Sequence, residues 1–367
     1  LRNLSAPITA HIEITEACDE RCRHCYNFCR GESFKPQSIS WENLDNTISE
    51  LIKNKVMHVI ITGGEPLLAV EKTIYLAKKC TNAGMTISLN SNLVSATPDK
   101  MGKLKDAGVD HCLTTLFSHK PEVHNFMASA KTWHKVIRGI KVTQEAGIRV
   151  SVNAIVSEHN KGDVFEAGKL LYKMGVKKFM ANRCIPSQNN KGSLQQEFLA
   201  GKEQTQKMFS DLKRVRALGI EVQSCRTTPE CFFDDPDGDD LEFTHRGCHA
   251  MTQILTDVQG NARACPHEGE TYGNIHEIGI KGVWGNMRVW RSGEYIPEEC
   301  QNCPRLETCQ AGCRMVALYY TDSIKGCDNL RRGNPKPPKL DTMINIREED
   351  GFYILRKRGA KVGFIDK

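Results

Sequence analysis

The chain predicts an α/β fold, a partial (β/α)6 TIM-like barrel followed by a cysteine-rich C-terminal domain. Two observations carry this. Residues 8 to 182 alternate short β-rich runs with amphipathic helical stretches, the order that builds a parallel sheet. Beyond Leu218 the alternation stops, and cysteines become dense as far as Cys327.

The β-rich runs are Ile8 to Ile14, Met57 to Thr62, Met85 to Asn90, His111 to Phe117, Ile148 to Val156 and Lys177 to Ala181. Apolar residues at helical spacing fill the gaps at Trp41 to Lys53, Glu71 to Ala83, Pro98 to Ala107, Trp133 to Ala146 and Val164 to Met174, several closed by a glycine. Six units give a partial barrel rather than a full one. In such barrels chemistry sits at the C-terminal ends of the strands. Residues 1–200 therefore form the barrel and 201–224 a bridging helix, Lys202 to Leu218, with a strand. Residues 225–332 form the cysteine-rich domain, and 333–367 a linker, Gly333 to Lys339, with a hairpin-like tail, Ile344 to Asp366, turning at Arg358 and Gly359.

With 367 residues, 40% hydrophobic and 26% charged, the composition is that of a globular protein with a sizeable core. No stretch is apolar enough for a membrane span, and the N-terminus lacks a signal peptide's apolar segment, so a cytoplasmic protein is expected. The net charge of +6 is modest and its lysines and arginines are scattered, which argues against a nucleic-acid partner. Sixteen cysteines in short-spaced clusters suit metal or cluster ligation better than disulfides.

Cys18, Cys22 and Cys25 form C-x3-C-x2-C directly after the first strand. Three thiolates are one short of the four that close a four-iron cubane, so one iron would be left to bind a ligand. A zinc knuckle or reducible surface thiols are the alternatives. The other motifs also fall at strand ends. Gly63-Gly64-Glu65-Pro66 ends the second strand, where bare glycines would let backbone approach a ligand and Glu65 would present a carboxylate to a cation. Asn90-Ser91-Asn92 ends the third, Thr115 and Asn153 end later strands, and Arg183 follows the sixth. Turn and helix capping, or a surface ion pair for Arg183, compete with a binding role.

The cysteine trio, with Tyr26 after it at an aromatic position, resembles the signature of the radical S-adenosylmethionine (radical SAM) enzymes. The resemblance implies a [4Fe-4S] cluster on the trio, chelated at its open iron by S-adenosylmethionine. It further implies that Gly63, Gly64 and Glu65 hold the methionyl amine, that Asn90, Ser91 and Asn92 hold the ribose, and that Thr115, Asn153 and Arg183 make further contacts. Later, Cys248-x11-Gly260-x4-Cys265, then Cys300-x2-Cys303-x5-Cys309-x3-Cys313 and Cys327, match the pattern of the SPASM extension. That pattern implies two auxiliary [4Fe-4S] clusters, one on Cys300, Cys303, Cys309 and Cys327 and one on Cys248, Cys265 and Cys313. The second set lacks a thiolate. Position 242, near where relatives place a further cysteine, is Glu242, and Cys231 is the chosen replacement, with Cys225, His245 or an open iron as alternatives.

Gly273-Asn274-Ile275 and Trp284 also fit the pattern, in a structural role. Cys80 and Cys112 read as small core residues; Cys29 and Cys184 lie outside both patterns. The resemblance implies oxidative modification, favouring cross-link formation, of a side chain of a ribosomal peptide or protein. Its partners would be an electron donor such as a flavodoxin or ferredoxin and, because few residues precede the first strand, a separate leader-binding protein, or the basic tail docking an acidic leader. Oxidation or epimerisation of a small molecule such as a tetrapyrrole or sugar is the alternative enzyme reading. A noncatalytic zinc scaffold is the non-enzymatic one.

Overall fold

The computed structural model describes residues 4–27, 35–187, 198–235, 244–245, 247–332, 345–349, 352–357 and 360–365. The six expected strands form and pair in parallel in chain order: β1 (Thr9–Glu13), β2 (His58–Thr62), β3 (Thr86–Asn90), β4 (Val109–Thr115), β5 (Arg149–Val156) and β6 (Lys178–Arg183). The helices between them are α1 (Trp41–Lys53), α2 (Val70–Asn82), α3 (Pro98–Asp106), α4 (Pro121–Ala128), α5 (Trp133–Glu145) and α6 (Val164–Lys173). All but α4 were expected. Eight residues are too few for a helical period to stand out, and α4 begins at Pro121 with no side-chain cap.

Strand alternation divides the polar interior from the core. In β1, Ala10 and Ile12 are fully buried under the helices, while His11 and Glu13 point the other way. Helix α1 buries Leu44, Thr47, Ile48 and Leu51, starting where Ser40 Oγ accepts from Asn43 N at 3.0 Å. Cys80 and Cys112 lie fully buried in this core, as expected. A cavity of about 840 Å3 opens at the N-terminal ends of the strands, lined by His58, His111, Ser151 and Lys178 among others, away from the motifs.

The sheet extends past six strands at both edges. Helix α7 (Lys202–Arg216) leads to β7 (Glu221–Gln223), which pairs with β6. At the other edge β8 (Gln253–Thr256) lies parallel to β1 and carries the two-residue β9 (Ala262–Arg263) antiparallel to it. Among the described residues the sheet order is β7-β6-β5-β4-β3-β2-β1-β8-β9. The cysteine-rich segment is thus joined to the barrel through its own strand. Asn274 caps α8 (Ile275–Asn286) and Trp284 Nε1 donates to Leu4 O at 2.8 Å, tying this segment to the start of the chain.

Short helices α9 (Val289–Ser292), α10 (Glu298–Gln301), α11 (Leu306–Cys309) and α12 (Arg314–Thr321) complete that segment. The linker at 333–339 and the turn at 358–359 lie outside the described residues. The tail contains one strand more than the expected hairpin, with β10 (Asn345–Glu349), β11 (Phe352–Lys357) and β12 (Ala360–Ile365) pairing antiparallel in sequence order. No helix among the described residues is long and apolar enough to cross a membrane.

Candidate functional site

The loop carrying Cys18, Cys22 and Cys25 is built on backbone contact with the end of β2. Gly64 N donates to Thr15 O at 2.5 Å and Glu65 N to Ala17 O at 2.7 Å. A Cβ at Gly64 would stand 2.2 Å from Ala17 O, and one at Gly63, whose φ is 140°, would stand 2.4 Å from Thr15 O. The two glycines are therefore needed for the cysteine loop itself to approach, where the sequence suggested approach to a ligand.

The far side of the loop rests on α4. Arg21 N and Arg23 N donate to Ala128 O and Met127 O at 3.1 and 2.9 Å, and the Arg23 guanidinium lies 4.4 Å from the Phe126 ring centre. Glu20 accepts from Thr132 Oγ1 at 2.6 Å and lies 3.5 Å from Cys22 Sγ. The helix that periodicity missed is one wall of the cysteine loop.

Glu65 is only 1% exposed, and its carboxylate turns inward. It accepts from Leu67 N at 2.9 Å, Ser91 Oγ at 2.7 Å and Asn92 N at 2.7 Å, clamping the end of β2 to the end of β3. Burial pushes its carboxyl up to about 7 against those three donors. Ser91 is committed to this clamp. Asn92 reaches the loop instead, donating from Nδ2 to Asp19 Oδ1 at 2.6 Å, with Cys18 Sγ 4.0 Å away. Asn90 and Thr115 are half-buried at the ends of β3 and β4, and Asn153, half-buried within β5, is in register with Thr115.

Arg183 occupies a different role from the one expected. It is 1% exposed, and its guanidinium grips Asp328 at 3.1 and 2.5 Å and donates to Thr227 O at 2.9 Å. Asp328 is 2% exposed and holds the backbone of Cys313 at 2.8 Å and of Leu330 at 3.0 Å. Arg183 is a buried tie between the barrel and the cysteine-rich segment, not a surface ion pair. Its partner follows Cys327 directly, but nothing in local spacing marks a pair 145 residues apart.

The C-terminal cysteines fall into two groups. Burial pushes Cys248 up to about 12 and Cys265 higher, and each feels Cys313. Cys327 is pushed up to about 11 by burial and then by Cys300. Cys231 belongs with this second group, since after burial it feels Cys300 and Cys303 and in turn raises Cys309. Its Sγ accepts from Arg332 N at 3.2 Å. The assignment of Cys231 to Cys248, Cys265 and Cys313 is thereby corrected: the adjacent Glu230 pairs with Arg305 at 3.0 Å, and Cys309 Sγ accepts from Glu230 N at 3.4 Å, so the segment is fastened to the other group. Of the alternatives, Cys225 Sγ lies 3.1 Å from Met180 Sδ, and His245 stacks on His249 with ring centres 3.7 Å apart.

The donor chemistry suits clusters. A single zinc ion draws its thiolates to within roughly 4 Å of one another, given a Zn–S length of about 2.3 Å, whereas a cubane holds them on separate irons. The donors proposed at each centre are all cysteines, the ligands that iron-sulfur clusters take.

Three residues that the motifs did not mark complete the junction. Asn182 Nδ2 donates to Asn153 Oδ1 at 2.6 Å, and its Oδ1 accepts from Cys225 N and Arg226 N at 2.6 and 2.9 Å. His267, two residues beyond Cys265, packs against Tyr26 with ring centres 5.3 Å apart, and burial holds its imidazole well below 6.5. Arg226 is half-buried, and its charge reaches Tyr26, Cys265 and His267. Only adjacency to cysteines in the sequence hinted at the last two.

Residues 12–177 match the model of the Radical SAM superfamily. The AdoMet-dependent heme synthase of Methanosarcina barkeri is 23% identical over 86% of this chain and 94% of its own length. The PqqA peptide cyclase of Rhizobium meliloti is 20% identical over 98% and 96%, and the mycofactocin maturase MftC of Mycolicibacterium smegmatis 25% identical over 87% and 81%. In fold, the chain is similar to anSMEcpe with bound AdoMet, at a TM-score of 0.71 and 16% identity over 88% of this chain and 90% of that one. It is also similar to Streptococcus suis SuiB bound to S-adenosylmethionine, at 0.69 and 16% over 88% and 76%. These relatives are enzymes, and the zinc scaffold falls away. With the cysteine trio seated at the C-terminal end of a parallel β/α sheet, residues 12–177 carry a radical SAM domain.

Proposed function

We propose that this enzyme cleaves S-adenosylmethionine at a [4Fe-4S] cluster on Cys18, Cys22 and Cys25 and oxidatively modifies a side chain of a ribosomal peptide or protein, with cross-link formation favoured. When bound, cluster and cofactor supply the 5'-deoxyadenosyl radical that takes a hydrogen atom from substrate. The chain's own residues do the aiming. Gly63 and Gly64 seat the loop, Glu65 and Ser91 lock the strand ends, and Asn92 with Asp19 orients the Cys18 side. Asn90, Thr115, Asn153 and Tyr26 make polar contacts with the cofactor in this reading.

In this reading the C-terminal cysteines would hold two auxiliary [4Fe-4S] clusters, which would supply an acceptor for the electron that the oxidation releases. One uses Cys300, Cys303, Cys309 and Cys327 with Cys231 beside it, and the other uses Cys248, Cys265 and Cys313. A flavodoxin or ferredoxin supplies the reducing electron.

The observation that carries the reading is the likeness to a PqqA peptide cyclase over 98% of the chain, which includes the cysteine-rich segment. The likeness to heme synthases favours a second reading, oxidation of a tetrapyrrole side chain. The test is anaerobic incubation of the reconstituted protein with S-adenosylmethionine, a reductant and either a candidate precursor peptide or a tetrapyrrole, read by mass spectrometry. A peptide lighter by two hydrogens supports the first reading. Turnover of the tetrapyrrole alone would replace it with the second.

A further inference from the structure

The junction between the barrel and the cysteine-rich segment is fastened by buried arginines, each with a carboxylate. Arg183 holds Asp328 and Arg263 holds Glu13 at 2.9 Å, and within the segment Arg305 holds Glu230 at 3.0 Å. Arg226 differs. Its backbone is pinned by Asn182 at the end of β6, yet its guanidinium makes no ion pair or side-chain hydrogen bond among the described residues. It is half-buried, and its charge reaches both Tyr26, which follows the first cysteine trio, and Cys265 of the C-terminal trio.

His267 supplies a second, independent observation at the same place. It is 5% exposed, and its Nδ1 lies 3.1 Å from Pro186 O, so Nδ1 carries the proton and donates. Nε2 is then a lone-pair acceptor, buried and without a hydrogen-bond partner. An orphaned acceptor in a protein interior costs free energy unless a ligand or water satisfies it. The Tyr26 ring packs against this imidazole with ring centres 5.3 Å apart, and the charge of Arg226 reaches it.

We propose that Arg226 and His267 form a recognition site for an acidic residue of the peptide substrate, between the first cysteine trio and Cys265. The carboxylate takes the planar guanidinium, and a neighbouring peptide N–H donates to His267 Nε2. This rests on the peptide reading above and adds to it the chemical class of the residue presented at the site.

The test measures binding, by calorimetry, of two blocked tripeptide amides to the reconstituted, S-adenosylmethionine-loaded protein: glycyl-glutamyl-glycine and its glutaminyl counterpart. Wild type is expected to prefer the glutamyl peptide by about tenfold. Arg226→Gln should erase that preference and Arg226→Lys keep part of it, while His267→Phe should weaken both peptides alike. A wild type without preference, or Arg226→Gln retaining it, would overturn the proposal. So would loss of S-adenosylmethionine affinity in Arg226→Gln with peptide preference intact, which would assign the guanidinium to the cofactor's carboxylate. If neither peptide binds wild type while the cofactor is still cleaved, the peptide reading itself falls, and this site with it.

Discussion

The barrel and the cysteine-rich segment solve the problem of holding thiolates in place by opposite means. In the barrel, an apolar core of regular strands and helices fixes the strand ends, and the cysteine loop is set down on them through backbone hydrogen bonds at Gly64 and Glu65. In the cysteine-rich segment, long regular elements are few, and buried guanidiniums stand in for them. Arg314, 4% exposed, donates to the carbonyls of Tyr295, Ile324, Gly326 and Ala311, while Arg183 and Arg305 form buried ion pairs. One region depends on close approach of bare backbone, the other on charge removed from water.

The largest effect is expected where the close approach is blocked. Gly64→Ala places a Cβ against Ala17 O and Glu16 O, so the cysteine loop must move. Iron should fall by about four per chain and cofactor cleavage by about a hundredfold or more. Unchanged iron would mean that the loop does not need the contact.

Breaking the charge-held side comes next. Arg183→Met leaves the Asp328 carboxylate buried without its cation and should cost about 3–5 kcal/mol in a denaturant titration. A loss below about 1 kcal/mol would show the pair to be dispensable, in the manner of exposed pairs.

The two C-terminal cysteine groups can be separated by paired substitutions. Cys313→Ala should remove most of one cluster's iron, roughly four per chain, while Cys231→Ala should leave the cluster on Cys248, Cys265 and Cys313 spectroscopically unchanged. Loss of that cluster's signal in Cys231→Ala would restore the grouping that sequence spacing suggested.

The smallest effect is the pH dependence from Glu65. Its folded pKa, about 7, lies above the ordinary 4.5, so the native state binds the extra proton between those values. Its contribution to stability is fully present below pH 4.5 and is lost as pH rises through 7. Glu65→Gln should flatten the decline in unfolding free energy between pH 5 and 7 relative to wild type. An identical slope would place the burial penalty elsewhere.

The same contrast accounts for what was legible. Strand and helix periodicity gave the six β/α units to within about two residues at most ends, because alternation and helical spacing are local consequences of burying one face. The strand β8 was not legible, since Gln253 to Thr256 is four residues long and its partner, β1, lies more than two hundred residues earlier. The cysteine trio and the glycines were marked by spacing, but what the glycines and Glu65 touch was not. Spacing names a position, whereas Glu65's three donors come from two strand ends brought together only by the sheet. Arg183 and Cys231 were misread for the same reason. Each is decided by a partner distant in sequence, Asp328 in one case and the Cys300 group in the other.

The measurement that tests the account most directly is iron and acid-labile sulfide per chain after anaerobic reconstitution, in wild type and with Cys18, Cys22 and Cys25 all changed to Ala. The account predicts about twelve irons falling to about eight, with cofactor cleavage abolished. Four irons or fewer in wild type, with zinc in the purified protein, would contradict the two auxiliary clusters and the oxidative reading built on them.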